Sequence, residues 1–267
     1  MIRKTFACLL LAGLAGAASF APPAQAQTLD ELIQKHVQAV GGKEKLDAVQ
    51  GVRMTGRMSM MQGMEAPFVL EIQDPNKMRM DITIQGMTLI QAYDGKTGWR
   101  VVPFGGNTDA EDMSAEELKQ MERQTSNFVD LLTDYKARGY EAELVGKEDV
   151  EGSPAYKIKL TAKDGETVQV FLDAEQYLPI KMLARVKAQG GQEVEVESAL
   201  GDYKEVGGVL FAHSIQSKSA MMPGTATMTI EKIEVNPELA AARFEKPAKK
   251  AEPAKEAPKD APKPPQG

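Results

Sequence analysis

The sequence predicts a mainly β protein with a few helices (α+β): one strongly curved antiparallel sheet, or incomplete β-barrel, enclosing amphipathic helices. Three observations carry this. Apolar and polar residues alternate along about a dozen short segments. Turn residues separate these segments, at Gly63, Asp74-Pro75-Asn76, Gly86 and Asp94-Gly95. Only two stretches show helical spacing. A sheet of that many strands usually curls or closes, and the two helices are the available filling for its inner side.

The first helix follows Thr28. Thr28 and Glu31 have the spacing of a capping box, Leu29, Leu32, Ile33, His36, Val37 and Val40 recur at helical intervals, and Gly41-Gly42 stops the run. Alternation then takes over. Val52, Met54, Gly56, Met58 and Met60 share one face, and Phe68, Leu70 and Ile72 repeat the pattern. Met78, Met80, Ile82 and Ile84 follow, with two more strands over 87–93 and 98–103. Residues 114–137 break the rhythm: Ser114 and Glu117 form a second capping box, and Leu118, Met121, Val129, Leu132 and Tyr135 predict one helix up to Gly139. Strands resume at 141–149, 154–162, 166–173, 179–188, 192–200, 209–217 and 224–235.

The two ends of the chain differ from the body. Residues 1–26 read as a secretory signal peptide, with Arg3 and Lys4, an apolar stretch from Phe6 to Leu14, and a small-residue site at Ala24-Gln25-Ala26. Cleavage after Ala26 places the protein in the periplasm and removes Cys8, the only cysteine. Residues 246–267 hold six Pro and six Lys with no large apolar side chain, and are expected to form a disordered tail. The sequence between, 27–245, is the expected folded domain.

Composition narrows the function. The formal net charge of −6 is concentrated as acid in the body, because both ends are basic. That argues against nucleic acid as a partner. One Cys and two His, His36 and His213, cannot build a usual zinc site. His36, on or beside an apolar stripe, reads as a packing residue. No nucleophile elbow, zinc-protease helix, phosphate loop or dinucleotide fingerprint is present, so no catalytic residue and no cofactor are assigned. Methionine is unusual: Met54, Met58, Met60, Met61, Met64, Met78, Met80 and Met87 crowd into one region. Most fall where strands bury apolar side chains, as adaptable lining does. A copper site at Met60, Met61 and Met64 is the alternative.

One stretch carries a family resemblance. Pro75-Asn76 at a strand start, then Asp94-Gly95-Lys96-Thr97-x-Trp99 and Pro103-Phe104, resemble the outer-membrane lipoprotein carriers of the LolA/LolB-like superfamily. Gly207-Gly208-Val209, Asn236-Pro237-Glu238 and Phe244 resemble the ending of related lipoprotein-sorting proteins. Where the dedicated carriers have an arginine that holds the lid, this chain has Asp74.

The resemblance implies a LolA/LolB-like incomplete barrel whose helices cover an apolar cavity for acyl chains, each buried CH2 contributing about 0.8 kcal/mol. The expected function is therefore a non-enzymatic periplasmic carrier, acting as a monomer. Its partners are lipoprotein acyl chains or another lipid, with envelope membrane proteins as further partners. A copper-binding protein, or a structural envelope module whose tail engages the wall or a partner protein, remains open. The expected lining is Met54, Met58, Met60, Phe68, Leu70 and Ile72, continued by Met78, Met80, Ile82, Ile84, Leu89 and Trp99. Leu118, Met121, Val129 and Leu132 are expected on the covering helix. Alternation does not distinguish an open lining from a solid core.

Overall fold

The computed structural model describes residues 27–60, 63–106, 108–126, 130–187, 192–220 and 222–248. The expected signal peptide, Met61 and Val129 lie outside these residues, as does the tail beyond Ala248. So does the side chain of Met60.

The chain starts with α1 (Leu29–Ala39) and a short α2 (Lys43–Asp47). Both arms of the expected capping box form: Glu31 N–H donates to Thr28 Oγ1, and Thr28 N–H donates to the Glu31 carboxylate. The next strands are β1 (Gly51–Met60), β2 (Met64–Gln73), β3 (Lys77–Ile84), β4 (Met87–Tyr93), β5 (Gly98–Val101) and β6 (Glu111–Asp112). Helix α3 (Ala115–Ser126) follows. After it come β7 (Tyr140–Val150), β8 (Ser153–Ala162), β9 (Thr167–Asp173), β10 (Pro179–Lys187), β11 (Glu193–Val206), β12 (Val209–Ser219) and β13 (Met222–Val235).

All 13 strands form one antiparallel sheet, ordered β6-β5-β4-β3-β2-β1-β13-β12-β11-β10-β9-β8-β7. Every pairing but one joins strands consecutive in sequence. The exception is β1 with β13, which runs from Val52 opposite Val235 to Ser59 opposite Thr227. The sheet is curved and does not close, because β6 and β7 are its two edges. A bulge in β13 shifts the β1 register between Thr55 and Gly56. Bulges increase local twist, and Gly56 is needed beside this one: a Cβ there would lie 2.0 Å from the Thr229 carbonyl oxygen.

The stretch 114–137 departs from expectation. Its capping box forms, with Ser114 and Glu117 exchanging hydrogen bonds, but α3 ends at Ser126. Residues 131–139 are turns. Asp130 supplies the reason: its carboxylate accepts hydrogen bonds from Leu132 N–H at 2.9 Å and from the Thr133 hydroxyl. Such local bonds hold the backbone in a turn in competition with a helix. Leu131, Leu132 and Tyr135 are buried all the same.

The connection from β6 through α3 to β7 carries the chain between the two edges of the sheet. Arg100 on β5 pairs with Glu117 of α3. One helical span later, Arg123 pairs with Asp164 and Glu166 of the β8–β9 turn, both at 3.0 Å. Gly98 lets α3 approach, since a Cβ there would meet Leu118 at 2.7 Å and the Met113 sulfur at 2.8 Å.

Candidate functional site

The helices and the 130–135 turns lie on the inner face of the sheet, where the apolar side chains form two clusters. Leu32 of α1 with Leu131, Leu132 and Tyr135 packs on Tyr156, Ile158, Leu160, Val170 and Leu172 of β8 and β9. The second cluster joins Val40 and Leu46 to Val52, Met54, Phe68, Leu70, Ile72, Met78 and Tyr93, and to Phe211, Ile230 and Ile233 of β12 and β13. Met121 of α3 completes it.

Between the clusters lies an apolar cavity of about 170 Å3. Met54 and Leu70 line it from one side, and Met228, Ile230, Ile215 and Phe211 from β13 and β12. Met182, Leu200 and Val170 close the far side, with Val40, Leu46 and Leu132 at the helical end. A larger opening of about 670 Å3 lies between β1–β2, α3 and residues 134–140. Its lining includes Gln50, Gln73, Asp74, Glu122, Arg123, Asp134 and Arg138. Such a polar surface does not exclude water from a hydrocarbon chain, so the smaller cavity is the better candidate.

The cavity wall contains one ionic pair. His36 is 1% exposed; its Nε2 lies 3.0 Å from the Asp130 carboxylate and its Nδ1 lies 2.8 Å from the Tyr177 carbonyl oxygen. Both ring nitrogens thus face acceptors, which fits the doubly protonated cation. Burial pulls the His36 pKa down, but the hydrogen bond and charge of Asp130, with the Tyr177 carbonyl, outweigh it and raise the value above 6.5. For Asp130, burial alone would raise the pKa; bonds from His36, Thr133 and Leu132 hold it below 3.8. Tyr203, also in the wall, donates to the Pro179 carbonyl at 2.7 Å, and burial pushes its phenol pKa strongly up.

Of the residues expected to line a site, Met54, Leu70 and Leu132 line this cavity. Phe68, Ile72, Met78 and Met121 are buried in the adjoining cluster, against which Met58, Met80, Ile82 and Leu118 pack while half-buried. Ile84 and Leu89 are half-buried further along the same face.

Trp99 is a correction. The β4–β5 register sets Gly98 opposite Tyr93 and Trp99 opposite Ala92, so Trp99 projects from the outer face. There it is 2% exposed under the C-terminal segment. Its Nε1 donates to the Phe244 carbonyl at 2.9 Å, and the Arg79 guanidinium sits 5.5 Å from its ring. Buried Glu71 accepts from Arg53 and Arg243 beside it, both at 2.9 Å.

The other half of the motif behaves as a turn. Asp94 Oδ1 accepts from Lys96 and Thr97 N–H, and Gly95 has φ 97.

Sequence reasoning missed the far wall of the cavity. Met182, Leu200, Ile215, Met228 and Ile230 alternate as clearly as β1–β3, but only the sheet order brings them together. It also missed Asp130, whose partner His36 lies 94 residues away in sequence. Among the described residues no group of three or more His, Cys, Asp or Glu side chains is placed to hold a metal ion. The copper alternative cannot be placed geometrically, since Met61 and the Met60 side chain lie outside those residues.

A family model described as that of an uncharacterized protein matches residues 110–248, just over half of the chain. None of the curated proteins matches it. Among solved structures, the chain is similar to a DUF1329 family protein from Desulfovibrio piger, with TM-score 0.55 and 14% identity over 81% of this chain and 97% of that one. It is similar to a putative outer membrane lipoprotein-sorting protein domain from Vibrio parahaemolyticus, with TM-score 0.55 and 11% identity over the same shares. A LolA superfamily protein from Nitrosomonas europaea matches with TM-score 0.52 and 14% identity, over 79% of this chain and 97% of that one. At such identities the likeness is one of fold, and the fold is LolA-like.

Proposed function

Because the chain belongs to this uncharacterized-protein family and has the LolA-like fold, we propose that it is a non-enzymatic lipid carrier. The acyl chains of lipoproteins, or of another lipid, enter the cavity on the inner face. The observation that carries this reading is the apolar cavity left between two packed clusters, continued along the sheet by half-buried Met58, Met80, Ile82, Ile84 and Leu89. Its volume is close to that of apolar cavities known to bind benzene, about 150 Å3. It therefore accepts a short run of methylenes as it stands, and a longer chain continues along β3 and β4, where α3 packs.

The carrier reading extends to the whole chain. Residues 27–245 form the lipid-binding domain, monomeric and periplasmic, after removal of the leader at Ala26. Among the described residues no helix is long and apolar enough to cross a membrane. The likeness to a putative outer membrane lipoprotein-sorting domain supports lipoprotein acyl chains as cargo; envelope membrane proteins are the exchange partners this reading calls for.

Solvent extraction of protein purified from its own cell envelope tests the cargo. Stoichiometric co-purifying lipid, and displacement of a fluorescent fatty acid by that lipid, is the expected result. Protein that neither carries lipid nor takes up the probe overturns the reading. Mass spectrometry of the same material reads the amino terminus, expected at Gln27.

A further inference from the structure

Charge is distributed unevenly between the two ends of the sheet. Strands β1, β3, β5 and β12 run toward one end, where four connections adjacent in the sheet lie: β5–β6, β3–β4, β1–β2 and β12–β13. Residues 82–93, 58–64 and 219–230, which span three of these connections, and 101–108, which open the fourth ahead of Asp109, contain no Asp, Glu, Lys or Arg, although such residues make up 26% of the chain. At the opposite end, the β2–β3 and β4–β5 connections carry Asp74 and Lys77, and Asp94 and Lys96, respectively. The β8–β9 turn, at the same end as the four connections but next to the far edge of the sheet, carries Lys163, Asp164 and Glu166.

The charge-free stretches also hold exposed apolar side chains. Five large ones are exposed among the described residues: Met64, Met87, Val102, Phe104 and Val145. All but Val145 lie here. Met64 and Met87 sit at hairpin ends, opposite Met60 and Ile84, and Val102 and Phe104 leave the sheet after β5. On the inner face below them, Met58, Ile82, Ile84 and Leu89 are half-buried, so apolar surface runs from the tips toward the cavity.

We propose that this end of the sheet docks on the surface of a phospholipid bilayer, with Met64, Met87, Val102 and Phe104 entering the interface. A charged side chain opposes burial in a bilayer, and these tips have none to bury. The body is acidic, so attraction to anionic lipid does not drive the contact, and its strength scales with apolar area. The docking stands on the tips alone; the passage of a lipid from bilayer to cavity rests on the carrier reading above.

Flotation of envelope-purified protein with neutral phosphatidylcholine vesicles tests it. The parent protein is expected to bind, with little dependence on salt. Met87→Glu and Phe104→Glu are each expected to weaken partitioning about tenfold, the loss of roughly one buried apolar side chain. Val145→Glu, on edge strand β7, is expected to leave it unchanged. Uptake of the fluorescent fatty acid from solution should be the same in all four proteins. Absent vesicle binding, equal binding by the tip variants, or binding abolished by salt overturns the docking. Self-association that Phe104→Glu abolishes, without vesicle binding, overturns it in favour of a second copy of the chain. Probe uptake without vesicle binding leaves the carrier reading standing and removes the docking; vesicle binding without probe uptake does the reverse.

Discussion

On β8 and β9, Ile158, Leu160, Val170 and Leu172 are at most 2% exposed beneath Leu32, Leu131, Leu132 and Tyr135, whereas Met80, Ile82, Ile84 and Leu89 on β3 and β4 remain half-buried. Both regions alternate, both face inward, and both belong to the same sheet. They differ in what lies over them. Helix α1 and the 131–135 turns fill the β8–β9 side with branched and aromatic side chains at close-packed density. Over the β3–β4 side lies α3, and the strands' own side chains include flexible methionines that adapt to an occupant. A carrier needs both: one rigid half to hold the fold, and one with apolar surface to spare.

The contrast is most directly broken by the same polar substitution in each region. Ile158→Asn should cost about 4 kcal/mol, combining lost apolar burial with a buried amide. Met80→Asn should cost about 1 kcal/mol, because a half-buried amide finds water, while weakening fatty-acid binding. Urea unfolding measures both, and equal losses would mean that the β3–β4 side is solid too.

His36→Ala should destabilise by about 3 kcal/mol, since it strands the Asp130 carboxylate in the cavity wall. The pair also sets a pH window. The His36 pKa is raised, so its contribution is complete below about 6.5 and fades as pH rises through the folded value. The Asp130 pKa is lowered, so its contribution is present above about 3.8 and fades as pH falls through its folded value. Urea midpoints across pH should therefore peak between these limits, and the peak should flatten in His36→Ala.

On the outer face, Arg243→Ala should cost about 2 kcal/mol by leaving Glu71 with only Arg53 at hydrogen-bond distance. Because that face is remote from the cavity, thermal melts should shift while probe affinity holds. Smallest is Arg123→Ala, which releases α3 from Asp164 and Glu166. Partly exposed pairs contribute up to about 1 kcal/mol, so stability should barely move, but stopped-flow uptake of the fatty acid should speed up, because α3 packs over β3 and β4.

Much of the fold was legible because its pairings are local. Twelve of the 13 strands could be read from alternation and turn residues; β6, two residues long, left no pattern. Both capping boxes formed where Thr28, Glu31, Ser114 and Glu117 placed them. Within the site, Met54 and Leu70 were legible as inward positions. Trp99 was not, because a single step in the β4–β5 register decides which face a side chain takes.

By itself, the sequence determined which segments become strands, where two helices begin, and which residues face away from water. Those properties follow from backbone geometry and side-chain polarity within a few residues. Only the tertiary structure decided that β1 meets β13, that helix 114–137 stops for Asp130 to reach His36, and that one side is filled while the other keeps a cavity. Each of those depends on groups far apart in the chain, which alternation along a strand does not record.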